Sequence, residues 1–361
     1  MMPNSIQELR KKIDRLDEKI VELLNRRAAL ASKIGTIKKE QDQSGYDPKR
    51  EKEIYEHILL VNQGPLSKEA LFSIYRELMS GMLVLEKEEK VAFLGPPGTF
   101  SHSAAKGKFG SSVEFVPART IENVFALVTR GRADYGVVPI ESSSGGGVVD
   151  TMDMFMDYDV KVVAEVLLPV HHNLLSISPK ERVKKVYSKP EALAQCREYL
   201  AVNFPLTELI PTASTTEAAQ IACKEPGVAA IASAEAASLY KIPILESEIE
   251  DSPQNLTRFF VLGRHPSEPT GNDKTSIVFS IKDEVGALCE MLLPFKGHNL
   301  NLTRIESRPS RRRPWDYNFF VDLEGHREDQ GVKAALAELE VKCQYLQILG
   351  SYPKARPLEE R

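Results

Sequence analysis

Residues Leu23–Gly35 read "LLNRRAALASKIG", and the stretch breaks the pattern around it. From Ile6 the apolar residues recur at spacings of three and four, as Ile6, Leu9, Ile13, Leu16, Ile20 and Leu23, and they resume as Leu30, Ile34 and Ile37. Such spacing places them on one face of an α-helix. The position that keeps the rhythm between Leu23 and Leu30 is Arg27. A guanidinium cannot shed its charge, and burying it unpaired is costly. The spacing therefore predicts a helix over 5–41 whose apolar stripe carries a cation that needs an anion. A glutamate of a neighbouring helix would make a structural ion pair, and a small polyanion would make a binding site.

Lys38 favours the second reading. It stands eleven residues beyond Arg27, only about 20° further round at about 100° per residue, so both cations share one face. "DPKRE" then starts a second helix, with Asp47 as N-cap, Pro48 at the first position, and Arg50 and Glu51 in the first turn. A third helix is expected from about Ser67 to Glu88. Several cations converging on an apolar interior suit a dicarboxylate. The first helix would be roughly 55 Å long, too long for a small domain to cover, so a partner chain should cover its stripe. Arg10 lies roughly 25 Å from Arg27 along that helix, so it can serve only the partner chain's pocket.

The whole chain has 361 residues and 42% apolar content, which fits two or three globular domains. A net charge of -4 with both signs mixed gives no argument for nucleic acid. The cluster Arg308, Arg311, Arg312 and Arg313 is expected to be a solvated loop. Cys196, Cys223, Cys289 and Cys343 are scattered without a CxxC pair, which suits a reducing compartment and no structural metal. No run approaches the roughly 18 apolar residues of a membrane span, and the charged amino terminus lacks a leader's apolar core. These features point to a cytoplasmic protein needing no membrane.

At Lys90 the grammar changes. "KVAFLG", "VEFVP", "YGVVPI", "VKVVAEVLL", "VKKVYS" and "GVAAIA" alternate with helical stretches, which predicts α/β units with mostly parallel strands. "HPSEPTGND" reads as a linker. Beyond it the order strand, helix, strand, strand, helix, strand is that of a ferredoxin-like α+β fold. The fold class is thus multidomain: an all-α unit over 1–89, a two-lobed α/β unit over 90–267 and an α+β unit over 273–361.

"ELRKKIDRLDEKIVELLNRRAALASKIGTIKK…DPKRE" resembles the all-helical chorismate mutase domain. Arg10, Arg27, Lys38, Asp47, Arg50 and Glu51 match that family's substrate contacts position by position. The resemblance implies an intertwined homodimer that rearranges chorismate to prephenate with no cofactor and no nucleophile. Catalysis would come from holding the compact conformer and stabilising charge on the ether oxygen. Arg10 and Arg27 would hold carboxylates, Lys38 would face the ether oxygen, Asp47 and Glu51 would address the ring hydroxyl, and Arg50 would support the pocket. On the third helix Met82 aligns with a frequent serine and Glu86 with a frequent glutamine. A carboxylate donates only when protonated, so either mildly acidic pH favours the mutase or neighbours hold Glu86 protonated.

"VAFLGPPGTFS", "VVPIESSSGGGVVD", "YSKPEALAQC", "STTEAA" and "DSPQNLTRFFVLGR" together resemble prephenate dehydratase, a two-lobed fold similar to periplasmic binding proteins. Thr257-Arg258-Phe259 is its most specific signature. The resemblance implies loss of carbon dioxide and the ring hydroxyl from prephenate, with Thr257 near the leaving group. Ser188 and Gln195 match further active-site positions, and Glu141, His172 and Arg258 would support them. Ser142 stands where the family usually has asparagine. Glycine-rich "GPPGTFS", read alone, is a turn capped by Thr99 or Ser101.

Gly286-Ala287-Leu288 and Glu306-Ser307-Arg308-Pro309 resemble the two ligand-associated motifs of the ACT regulatory domain, which implies phenylalanine as allosteric inhibitor between neighbouring subunits. The resulting expectation is a bifunctional enzyme of phenylalanine biosynthesis. A non-catalytic amino-acid sensor with a helical dimerisation arm is the alternative.

Overall fold

The structure is a computed structural model and describes residues 6–41, 45–143, 145–281, 284–309, 317–355 and 358. The first unit holds three helices, α1 (Ile6–Glu40), α2 (Pro48–Val61) and α3 (Lys68–Glu86). Asp47 caps α2 as its sequence demands, accepting from the Lys49 and Arg50 amides at 3.0 and 3.1 Å. Ser67 caps α3 in the same way. Of α1 only the C-terminal third packs on its own chain, burying Ala31 and Gly35. Gly35 meets α3 so closely that a Cβ there would fall 2.5 Å from the Glu86 Cα. The rest of the apolar stripe is bare, with Leu16 56% and Leu23 59% exposed.

In the central unit the first lobe comprises β1 (Lys90–Leu94), α4 (Phe100–Phe109), β2 (Glu114–Ala118), α5 (Ile121–Thr129), β3 (Tyr135–Ser142), β4 (Gly146–Gly147), α6 (Val149–Met154) and β5 (Lys161–Pro169). The second comprises β6 (Asn173–Leu175), β7 (Lys185–Ser188), α7 (Pro190–Gln195), α8 (Arg197–Asn203), β8 (Glu208–Pro211), α9 (Thr215–Ala222), β9 (Val228–Ala232), α10 (Ala234–Tyr240) and β10 (Ile244–Glu246). β11 (Leu256–Gly263) returns to the first lobe, giving sheet orders β2-β1-β3-β11-β5 and β10-β6-β9-β7-β8. The expectation of mostly parallel strands is corrected here. Each lobe keeps a parallel trio, β2-β1-β3 or β8-β7-β9, but β11 runs antiparallel to both β3 and β5, and β6 runs antiparallel to β9 and β10. The cause is the chain path: β11 re-enters the first lobe from the second and has no crossover helix to turn it round.

The last unit has β12 (Asp273–Ile281), α11 (Ala287–Gly297), β13 (Leu302–Pro309), β14 (Tyr317–Glu324), α12 (Gln330–Lys342) and β15 (Tyr345–Pro353). Its antiparallel sheet has the order β13-β14-β12-β15, the ferredoxin-like arrangement the sequence predicted. The two faces of the first-lobe sheet divide the molecule. Phe259 and Val261 of β11 share a core with Tyr46, Leu83 and Val84 of the helical unit. Phe260 and Leu262 share one with Val278, Phe320, Leu349 and Tyr352 of the last unit. Side chains alternate along a strand, so β11 is the wall between its two neighbours. Among the described residues no helix is long and apolar enough to cross a membrane.

Candidate functional site

A cavity of about 510 Å³ opens in the helical unit, lined by Arg27, Lys38, Asp47, Arg50, Glu51, Met82 and Glu86 together with apolar residues such as Ile34 and Leu83. The cations thus converge on one space, as the helical spacing required. Lys38 Nζ donates to the Gly45 carbonyl at 2.6 Å and to Glu86 Oε2 at 3.1 Å. The close approach at Gly35 sets this pairing, because it brings the last turns of α1 and α3 side by side. The neighbour that Glu86 meets is thus a cation, Lys38. Asp47 spends one carboxylate oxygen on the helix cap. Arg50 pairs with Glu53 at 3.0 Å on the exposed side of α2. Arg10 is exposed and stands outside this cavity.

The second constellation lies where the two lobes meet. Thr257 stands opposite Ser142 in the β11–β3 ladder. Two residues before Thr257, Asn255 donates to Gln195 Oε1 at 3.2 Å, which ties the start of β11 to the end of α7. The same oxygen lies 2.6 Å from His172 Nε2. An amide oxygen only accepts, so Nε2 carries the proton. Burial pushes the His172 pKa down despite this bond, which keeps the ring neutral. Glu250 accepts from the His172 amide at 2.8 Å and meets His171 Nδ1 at 2.6 Å. Asn255 and Glu250 were not singled out from sequence, although "DSPQNLTRF" contains the first. Ser188 is fully buried and donates to the Ile231 carbonyl at 2.6 Å, so its hydroxyl proton is already engaged.

Arg258 does not join that constellation, and its expected place near a substrate is corrected. Its Nε meets Glu165 at 2.7 Å, its Nη2 donates to Tyr352 Oη at 3.0 Å, and its Nη1 reaches Asp322. Strand alternation explains this, since Thr257 and Arg258 occupy opposite faces of β11. Glu141, its partner in the ladder, approaches Arg258 at 3.7 Å and Arg304 at 3.9 Å.

In the last unit Gly286 adopts a left-handed φ of 84° just before α11, with Ala287 and Leu288 in the first turn. Alternation along β13 splits the second motif. Ser307 is exposed, whereas the Glu306 carboxylate lies over Gly147 of the central unit and Arg308 meets Asp153 at 3.5 Å. The expectation that Glu306, Ser307 and Arg308 form one ligand-facing set is therefore corrected, as is that of a solvated Arg308. Arg311, Arg312 and Arg313 lie outside the described residues. Among the described residues no group of three or more His, Cys, Asp or Glu could hold a metal ion.

Three family models match in succession: chorismate mutase type II over residues 9–87, prephenate dehydratase over 91–267 and the ACT domain over 275–341. The bifunctional chorismate mutase/prephenate dehydratase of Aquifex aeolicus strain VF5 is 50% identical, with 97% of this chain and 98% of that one covered. Its counterpart in Escherichia coli K12 is 31% identical over 97% and 96%. A solved prephenate dehydratase from Arthrobacter aurescens in complex with L-Phe superposes with a TM-score of 0.70 at 32% identity, over 74% of this chain and 92% of that one. Matched end to end in this way, the chain belongs to the family of bifunctional chorismate mutase/prephenate dehydratases.

Proposed function

We propose that the helical cavity rearranges chorismate to prephenate and that the inter-lobe constellation converts prephenate to phenylpyruvate. The observation that carries this is the meeting of Arg27, Lys38, Glu51 and Glu86 around one cavity, beside apolar residues such as Leu30, Ile34 and Leu83. Arg27 would hold one substrate carboxylate, and Arg10 would hold another in the cavity of a partner chain. Lys38, oriented by Glu86 and the Gly45 carbonyl, would face the ether oxygen as negative charge develops there. Asp47 and Glu51 would meet the ring hydroxyl, with Arg50 at the rim and Met82 as an apolar wall. The bare stripe of α1 supports a homodimer, because water would otherwise face eleven large apolar residues of one helix.

At the second site the ring hydroxyl leaves as the carboxylate is lost, and aromatisation drives the step. Thr257 would donate to the departing oxygen, with Ser142 beside it and Gln195 binding substrate through its amide nitrogen. Ser188 would act only as an acceptor. Arg258 would tie the sheet to the last unit rather than touch prephenate. Phenylalanine would bind near Gly286, Ala287, Leu288 and the outer face of β13 at Ser307, and Glu306 and Arg308 would carry its effect to the central unit. The units would span 1–89, 90–267 and 273–361, and the protein would work in the cytoplasm.

The test is to give the full chain chorismate and follow both its loss and the appearance of phenylpyruvate, with and without L-phenylalanine. Both signals should appear, and the second should fall when phenylalanine is added. If chorismate is not consumed and no phenylpyruvate appears, the sensor reading stands instead.

A further inference from the structure

The helical cavity is not closed by the helical unit alone. Lys108 and Phe109, at the end of α4, belong to the dehydratase unit and line it together with the helices. Lys108 Nζ lies 2.6 Å from Glu51 Oε2, and both side chains are largely buried. The same oxygen accepts from Tyr46 Oη at 2.8 Å. Burial first, and the Glu51 carboxylate second, push the Tyr46 pKa well above its ordinary value, so the phenol stays a donor. The Tyr46 ring packs on Phe109 and Tyr135 at centroid distances of 5.0 and 5.5 Å.

The segment that carries Lys108 is fixed to the helical unit just beyond it. The Ser112 amide donates to Ser80 Oγ at 3.0 Å and the Ser111 amide to Glu77 Oε2 at 3.0 Å. Glu51 is thus gripped by a phenol from its own unit and an ammonium from the other. Arg50, Arg76 and Lys38 also line the cavity, so a Glu51 released by Lys108 has other cations to turn toward.

We propose that Lys108 is a positioning residue for the chorismate rearrangement, supplied by the dehydratase unit to hold Glu51 toward the substrate's ring hydroxyl. The idea rests on the reading of Glu51 given above. It makes the mutase site a joint product of two units, each of which carries a catalytic step.

The experiment compares Lys108→Met, Lys108→Arg, Glu51→Gln and the double variant Lys108→Met/Glu51→Gln in the full chain. Each is assayed separately with chorismate and with prephenate. A misplaced contact group costs up to about 100-fold. Lys108→Met should therefore lower the mutase kcat/KM about 10- to 100-fold while leaving turnover of prephenate intact. Lys108→Arg should restore most of the loss, and Lys108→Met should add nothing in the Glu51→Gln background. An unchanged mutase in Lys108→Met, or an equal loss of both activities, overturns the proposal. A further loss in the Glu51→Gln background also overturns it, because Lys108 would then act on substrate directly. If Glu51→Gln itself leaves the mutase intact, the assignment of Glu51 fails, whatever Lys108 does.

Discussion

Lys38 Nζ rests 3.1 Å from Glu86 Oε2, and the contact depends on Gly35, which lets α1 and α3 approach within the space a methyl group would need. A Cβ at residue 35 would overlap backbone atoms of Glu86, which cannot swing aside as a side-chain tip can. Gly35→Ala should therefore separate the helix ends, cost about 1–3 kcal/mol of stability and lower mutase turnover at least about 10-fold. Dehydratase turnover, measured with prephenate, should hold. Equal mutase activity in the variant would show that the helix approach does not shape the site.

Glu86 lines the helical cavity and accepts from Lys38 Nζ at 3.1 Å. Glu86→Gln keeps an acceptor for Lys38, removes the negative charge and adds an N–H donor. The variant should retain most of the mutase activity, whereas Glu86→Ala, which takes that acceptor from Lys38, should lower kcat/KM at least about 10-fold, within the roughly 100-fold that a misplaced group can cost. A mutase kcat/KM in Glu86→Ala equal to that of the native chain would remove Glu86 from the rearrangement.

Arg258 joins three buried groups from two units: Glu165 beside it, and Asp322 and Tyr352 of the last sheet. Removing one partner of such a network leaves buried charges uncompensated, at a cost of about 3–5 kcal/mol. Arg258→Met should lower the urea midpoint of the transition that separates the last two units. Phenylalanine should inhibit the variant less, with KM for prephenate nearly unchanged. A raised KM with normal inhibition would return Arg258 to the substrate.

Much of the helical site was legible because helical periodicity is local. Arg27 and Lys38 lie on one helix, and their common face follows from counting residues. The bare stripe of α1 and the cap at Asp47 follow in the same way. Arg258 was not legible, because Asp322 and Tyr352 are 64 and 94 residues away and strand parity alone does not say which face meets which unit. Lys108 escaped for a similar reason: its anionic partner belongs to a different unit, 57 residues earlier in the chain. Ser188 and Gln195 were singled out together, but only the structure shows that one hydroxyl is turned inward and that Asn255 and His172 hold the other's amide oxygen.

Glu89, between the helical and central units, is 1% exposed. Burial first, and then the Asp134 carboxylate, push its pKa up from 4.5 to about 7. A carboxyl with a raised folded pKa binds its proton more tightly when folded, so stability falls as pH rises between the two values. Across that window the loss is about 3 kcal/mol. Glu89→Gln should thus be more stable than the native chain at pH 8, by up to that amount, and equal to it near pH 4.5. Urea melts at both pH values check this, and a constant difference would contradict it.

The most direct test of the two-site account pairs Arg27→Ala with Thr257→Ala and assays each with chorismate and, separately, with prephenate. Arg27→Ala should abolish chorismate loss and still turn prephenate into phenylpyruvate, while Thr257→Ala should make prephenate from chorismate and let it accumulate. An Arg27→Ala variant that rearranges chorismate at an undiminished rate would contradict the claim that the cation in the apolar stripe holds the substrate.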